Sequence, residues 1–285
     1  MAITTPYILT PYERRFRQSV LDLLFRHARV HTHLDWHDPD DWLDSQQPPM
    51  RLYWQGEQLM GVLAVSPPLE GTCWLRLAGV HDRISGQIVL GTLWEDLTAE
   101  LHSMNMRTVG ALVINEWLAR YLPGLGFHYD EHIVTLRRLG SKVPELKPTL
   151  VTIRSAQMED IDAMLKVDSA AFGALWRLSL ADLRQAYRIA VNVTVALFED
   201  TIVGYQISTL YHNSGHLARL AVLPTMQGLG VGSALVDDLV HRFRNRHVDS
   251  ITVNTQSSNT RSQQLYKHYG FRRNGYDLAV WQRHF

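Results

Sequence analysis

The chain of 285 residues carries 28 Lys and Arg against 28 Asp and Glu, a formal net charge of zero, with 46% hydrophobic residues. That balance argues against extended nucleic-acid contact, which leaves a basic excess on a protein, and no run approaches the roughly 18 apolar residues of a membrane span. The single cysteine, Cys73, excludes an intramolecular disulfide framework and a zinc site built on several thiolates. MAITTPYILTPYERRF lacks a basic region followed by an unbroken apolar segment, so a soluble cytoplasmic protein is expected.

In chain order, the first distinctive stretch is HTHLDWHDPDDW, with His31, His33 and His37 among Asp35, Asp38, Asp40 and Asp41. The composition suits a metal, but a solvated polar loop ahead of a helix explains it as well, and no metal is assigned. From Arg137 to Ala156, Gly140, Pro144 and Pro148 interrupt the patterns on either side. A linker near 139–148 therefore joins two domains, 1–140 and 149–285. The second opens with TLVTIRSA as a strand, then MEDIDAMLKVDSAAF and SLADLRQAYRIA as helices. VNVTVALFE, IVGYQISTLY and HLARLAVL form a meander, parted by turn signals at Glu199-Asp200 and Asn213-Ser214-Gly215. Val231, Leu235, Leu239 and Phe243 set a helix, ITVNTQ a strand, and a helix runs from about Asn259 to Gly270 before the last strand DLAVWQRHF. The fold class is α+β: a mixed, mostly antiparallel sheet with flanking helices and one parallel crossover between HLARLAVL and ITVNTQ.

Between that strand and helix lies QGLGVGSA, with glycines at 228, 230 and 232. A dinucleotide fingerprint needs glycine at its first, third and sixth positions, and counting from Gly228 the sixth is Ser233. A P-loop needs a lysine that is absent. A tight turn needs about one glycine rather than three. The remaining reading is a pyrophosphate across the helix N-terminus, held by backbone amides that a Cβ would obstruct.

Gln227, Gly230 and Gly232 resemble the Gln/Arg-x-x-Gly-x-Gly/Ala loop of the GNAT family of N-acetyltransferases, and NTRSQQLYKHYGF, Asn259 to Phe271, is similar to the family's second segment. The resemblance implies tandem acyl-CoA N-acyltransferase-like domains and acetyl-CoA as cofactor. It implies pantetheine along Ala221, Val222 and Leu223, pyrophosphate on Gln227, Gly228, Leu229, Gly230, Val231, Gly232 and Ser233, and further contacts from Asn259, Ser262 and Tyr266. Asn259 also reads as a helix N-cap. Tyr266 is the candidate general acid, since a thiol of pKa roughly 8.5 leaves well beside a donor of pKa about 10; a packed aromatic is the rival reading. An amide near Ala221 or Val222 would meet the oxyanion. Many relatives place a glutamate on the fourth or fifth strand, but GHLARLAV and ITVNTQ hold no carboxylate, leaving His216 as candidate base. Phe172, Trp176, Tyr205 and Tyr211 are candidate substrate contacts, with core packing as the alternative.

The first half repeats the second. VINEWLARYLPGLGF lies over the segment ending at Phe271, with Asn115 on Asn259, and GVHDRISGQIVLGTLWEDL lies without gaps over AVLPTMQGLGVGSALVDDL. Ser85, Ile88, Leu90 and Leu122 then stand where Gln227, Gly230, Gly232 and Tyr266 stand, so a degenerate domain is expected. The leading expectation is acetyl transfer from acetyl-CoA to a primary amine, on a small molecule or on a protein N-terminus or lysine, by direct attack. No membrane or nucleic-acid partner is expected, and a homodimer stays open. The alternatives are a non-catalytic acyl-CoA sensor and an aminoacyl-tRNA-dependent transferase.

Overall fold

The chain divides into two compact units in the computed structural model, which describes residues 6–45, 48–140, 143–145, 148–248 and 250–285. One comprises residues up to Asp130 together with Ala279–Phe285, the other Glu131–Leu278. This differs at both ends from a division into 1–140 and 149–285.

The first unit contains β1 (Ile8–Pro11), α1 (Arg17–Arg26), β2 (Arg29–Thr32), α2 (Pro39–Ser45), β3 (Met50–Gln55), β4 (Gln58–Val65), β5 (Thr72–Val80), α3 (Gly86–Ser103), β6 (Thr108–Val113) and α4 (Glu116–Ala119). Strands β1, β3, β4 and β5 are antiparallel neighbours, and β6 joins β5 in parallel. Beyond β6 the next strand comes from the end of the chain, with Ala279–His284 against Val113–Thr108. Val89, Leu93, Leu97 and Leu101 recur at helical spacing on α3 and are fully buried against the sheet.

The second unit takes the later part of β7 (His128–Leu139), then β8 (Thr152–Ser155), α5 (Ile161–Ala171), α6 (Leu180–Ile189), β9 (Asn192–Phe198), β10 (Thr201–Tyr211), β11 (Ser214–Val222), α7 (Val231–Asn245), β12 (Ser250–Gln256), α8 (Thr260–His268) and β13 (Arg272–Arg273). The final strand, β14 (Leu278–His284), is the one that pairs with β6. The strand order is β7-β12-β11-β10-β9-β8, and only β11 and β12 run parallel. Adjacent strand residues point to opposite faces. A Cβ on Gly204 would meet Val231 and Leu235 of α7, whereas the neighbouring Tyr205 bonds Asp168 of α5. Helices α5 and α7 therefore cover opposite faces of β10, giving the layered α+β architecture.

Candidate functional site

Strands β11 and β12 pair from Ser214↔Ser250 to Leu217↔Val253 and then part. The cause is local. Ile207 of β10 pairs with Arg219 and Ser208 with Leu217, which leaves Ala218 as an extra residue that bends β11. From Arg219 to Val222 β11 keeps its β10 partner but no longer pairs with β12, and a strand edge without a strand partner can accept an extended chain.

The strand ends in a loop whose geometry needs glycine. Gly228 and Gly230 have φ of 83° and 86°, in the left-handed region, and Gly230 is the N-cap of α7. Gly232 has another reason: a Cβ there would come within 3.3 Å of Leu265 on α8. Among the described residues, no group accepts a hydrogen bond from the backbone amides of Gly228, Leu229, Gly230, Val231, Gly232 or Ser233, the first helical acceptor pairing being Ala234 N–H to Gly230 C=O at 2.9 Å. Such free amides at a helix N-terminus form an anion site.

Side chains of α8 complete this end of the sheet. Asn259 is the observed N-cap, its Oδ1 accepting from Ser262 N–H at 3.1 Å. Gln227 donates through Nε2 to Val222 C=O at 3.1 Å and accepts from Arg261 at 2.8 Å, tying the loop to the strand end and to α8. Tyr266 is 4% exposed and packs its ring on Phe271, and burial holds its phenol well above the usual range.

Residues 161–271 match the family model described as the acetyltransferase (GNAT) family. That segment carries the sequence signature of the GNAT family. An uncharacterised N-acetyltransferase of Methanocaldococcus jannaschii is 28% identical over 122 residues, 42% of this chain and 77% of the relative. Mycothiol acetyltransferase of Brachybacterium faecium is 27% identical over 179 residues, 56% of this chain and 54% of that protein's length. Among solved structures, a tandem GNAT protein from the clavulanic acid biosynthesis pathway superposes with a TM-score of 0.64 at 15% identity, covering 98% of both chains. The fold of that tandem protein thus extends over the whole chain, and the segment 161–271 is of the N-acetyltransferase class, which implies an acyl-CoA donor.

Within this GNAT frame several expected site residues move. His216 lies in the paired part of β11, five residues before Ala221 and so about 16 Å down the strand. Its Nδ1 is 2.9 Å from Thr252 Oγ1, and burial lowers its pKa. A base must come within hydrogen-bond reach of the proton it removes, and the structure places His216 in the β11–β12 pairing, apart from the glycine loop. Tyr205 is fully buried with its hydroxyl donating to Asp168 Oδ2 at 2.5 Å, which is the core-packing alternative rather than a surface open to substrate. Tyr211 is 77% exposed at the β10–β11 hairpin, opposite Ser214 and away from the glycine loop.

Phe172 and Trp176 are held near β11 by residues that the motifs did not reveal. Arg219 of β11 donates to Asp168 through Nε and NH2, both at 2.8 Å, and from NH2 to Trp176 C=O at 2.7 Å. Its guanidinium carbon lies 3.5 Å from the centre of the Phe172 ring. Asp168 also accepts from Leu178 N–H at 3.0 Å. The available signal was a carboxylate within an otherwise apolar helix face, which demands a buried cation. A second carboxylate, Glu131 at the start of the β7 portion in this unit, accepts from Gln256 Nε2 and Ser258 Oγ, both at 2.8 Å, and fixes the β12–α8 connection.

In the first unit, the histidine stretch serves packing and ion pairing. His31 is fully buried, while His33 and Arg76 both bind Asp35, at 2.9 and 2.6 Å. Among the described residues, no group of three or more His, Cys, Asp or Glu is placed to hold a metal ion, and no helix is long and apolar enough to cross a membrane.

Proposed function

We propose that the second unit binds acetyl-CoA and transfers its acetyl group to a primary amine by direct attack. The observation that carries this reading is the run of backbone amides from Gly228 to Ser233 without an acceptor among the described residues, beside the stretch of β11 after Leu217 that no longer pairs with β12. The diphosphate would lie on those amides and the amide-bearing pantetheine arm along that edge. A backbone amide near Ala221 or Val222 then meets the oxyanion as the amine lone pair attacks the thioester carbon. The C–N bond forms, the C–S bond breaks, and the departing sulfur takes its proton from Tyr266, which the proton lost by the amine replenishes through water. Phe172 and Trp176 wall the acceptor side.

The fit of the chain to the cofactor is chemical. A doubly anionic group needs donors without side-chain bulk, and two left-handed glycines supply them. Calorimetry with acetyl-CoA, followed by thiol release against a panel of amines at about pH 8, tests the proposal. Saturable binding with release of CoA is expected. Absence of binding overturns the reading, and binding without release for any amine makes the unit an acyl-CoA sensor.

A further inference from the structure

The first unit contains the same parting of parallel strands, and there the opening is filled. Strand β5 pairs with β6 only from Thr72↔Thr108 to Trp74↔Gly110. Beyond that point β2 lies against β5, antiparallel, from Thr32↔Leu77 to Arg29↔Val80. The positions that β5 offers to β2, Leu77 to Val80, lie at the strand's C-terminal end, as Ala218–Val222 do in β11.

Side chains secure the inserted strand at points that match the donor site of the second unit. Val30 C=O accepts from Asn115 Nδ2 at 3.1 Å and from Trp117 Nε1 at 2.9 Å. Asn115 is the repeat counterpart of Asn259. Arg29 donates to Ile84 C=O at 2.7 Å and also to His81 C=O, so a guanidinium occupies the β5–α3 loop. That loop is short. α3 begins at Gly86, six residues after Val80, whereas α7 begins at Val231, nine residues after Val222, so the gapless overlay of the two loops gives way to a three-residue difference. Finally, a Cβ on Gly86 would meet the Tyr121 hydroxyl at 2.8 Å, which places that ring over the N-terminus of α3.

We infer that β2 is a built-in occupant of the first unit's donor slot, an extended segment of the chain itself holding the place of a pantetheine arm. The slot is thereby closed to acyl-CoA, and the full chain has one donor site instead of the two its tandem architecture suggests. The hydrogen-bonding edge and the asparagine that would recognise a cofactor are already engaged, and the Tyr121 ring crowds the helix N-terminus. The stoichiometry, though not the closure itself, rests on the donor reading of the second unit.

Hydrogen exchange on the full chain, with and without saturating acetyl-CoA, separates the two. The segment 29–32 should exchange slowly in the free protein and remain unchanged when acetyl-CoA is added, while 218–222 and 228–233 become protected. Calorimetry should give one equivalent bound. Fast exchange of 29–32 in the free protein, its deprotection on adding acetyl-CoA, or two equivalents bound would each overturn the closed slot. Slow exchange of 29–32 with no protection anywhere on adding acetyl-CoA supports the closed slot and instead defeats the donor reading of the second unit.

Discussion

Burial decides what Tyr266 can do. Its phenol is removed from water and its pKa is raised by that burial, so it keeps its proton across the range in which amines are nucleophilic. A neutral phenol of this kind donates to a departing thiolate. Tyr266→Phe is expected to lower kcat about 100-fold, in the range of a lost general acid, with acetyl-CoA affinity by calorimetry within about twofold of the parent. His216 makes the opposite case. Its ring is bound to Thr252 and set five residues down the strand from Ala221, apart from the proposed acetyl position, so His216→Ala should leave turnover within about threefold of the parent. A thiol-release assay distinguishes the two variants directly. The glycines need similar care. Substituting Gly228 or Gly230 strains a left-handed backbone, whereas substituting Gly232 presses on Leu265.

Among elements, the connection between α5 and α6 is the one whose support was hidden. It carries Phe172 and Trp176, and it is tied to β11 by Arg219 through a fully buried Asp168. Removing one member of such a pair strands the other charge in the interior. Arg219→Leu is expected to destabilise the second unit by about 3–5 kcal/mol, read as a lower urea midpoint. The elements themselves were legible because strand alternation and helix spacing are local: the order β, two helices, three strands, helix, strand, helix appears as expected from residue 152 to 268. The Asp168–Arg219 pair spans 51 residues of sequence, and no local pattern reports which buried acid meets which buried base.

For the whole molecule, the end of the chain does not belong with the segment that precedes it. Ala279–Phe285 joins the first unit and extends its sheet beyond β6. Deleting these residues should expose the β6 edge and speed hydrogen exchange of Val109–Val113 more than that of β9 or β10. The first unit also carries a pH dependence. His31 is buried, with no group among the described residues reaching either ring nitrogen, and burial lowers its pKa to about 3. The unfolded chain binds the proton near pH 6.5 while the folded chain does not, so His31 favours folding above that value. That contribution is lost by about 1.4 kcal/mol for each pH unit below 6.5 down to about 3. Urea midpoints at pH 7, 6 and 5 should fall accordingly, and His31→Phe should flatten the slope. The sequence by itself determined the α+β class, the tandem repeat and the glycine loop, since these follow from local periodicity and from backbone conformations that only particular residues adopt. Only the tertiary structure decided where β2, β7 and β14 pair, which histidine and tyrosine positions are remote from the loop, and what fills the first slot. Strand pairing and buried ion pairs are satisfied by partners distant in the chain, and their selection is a property of the packed molecule.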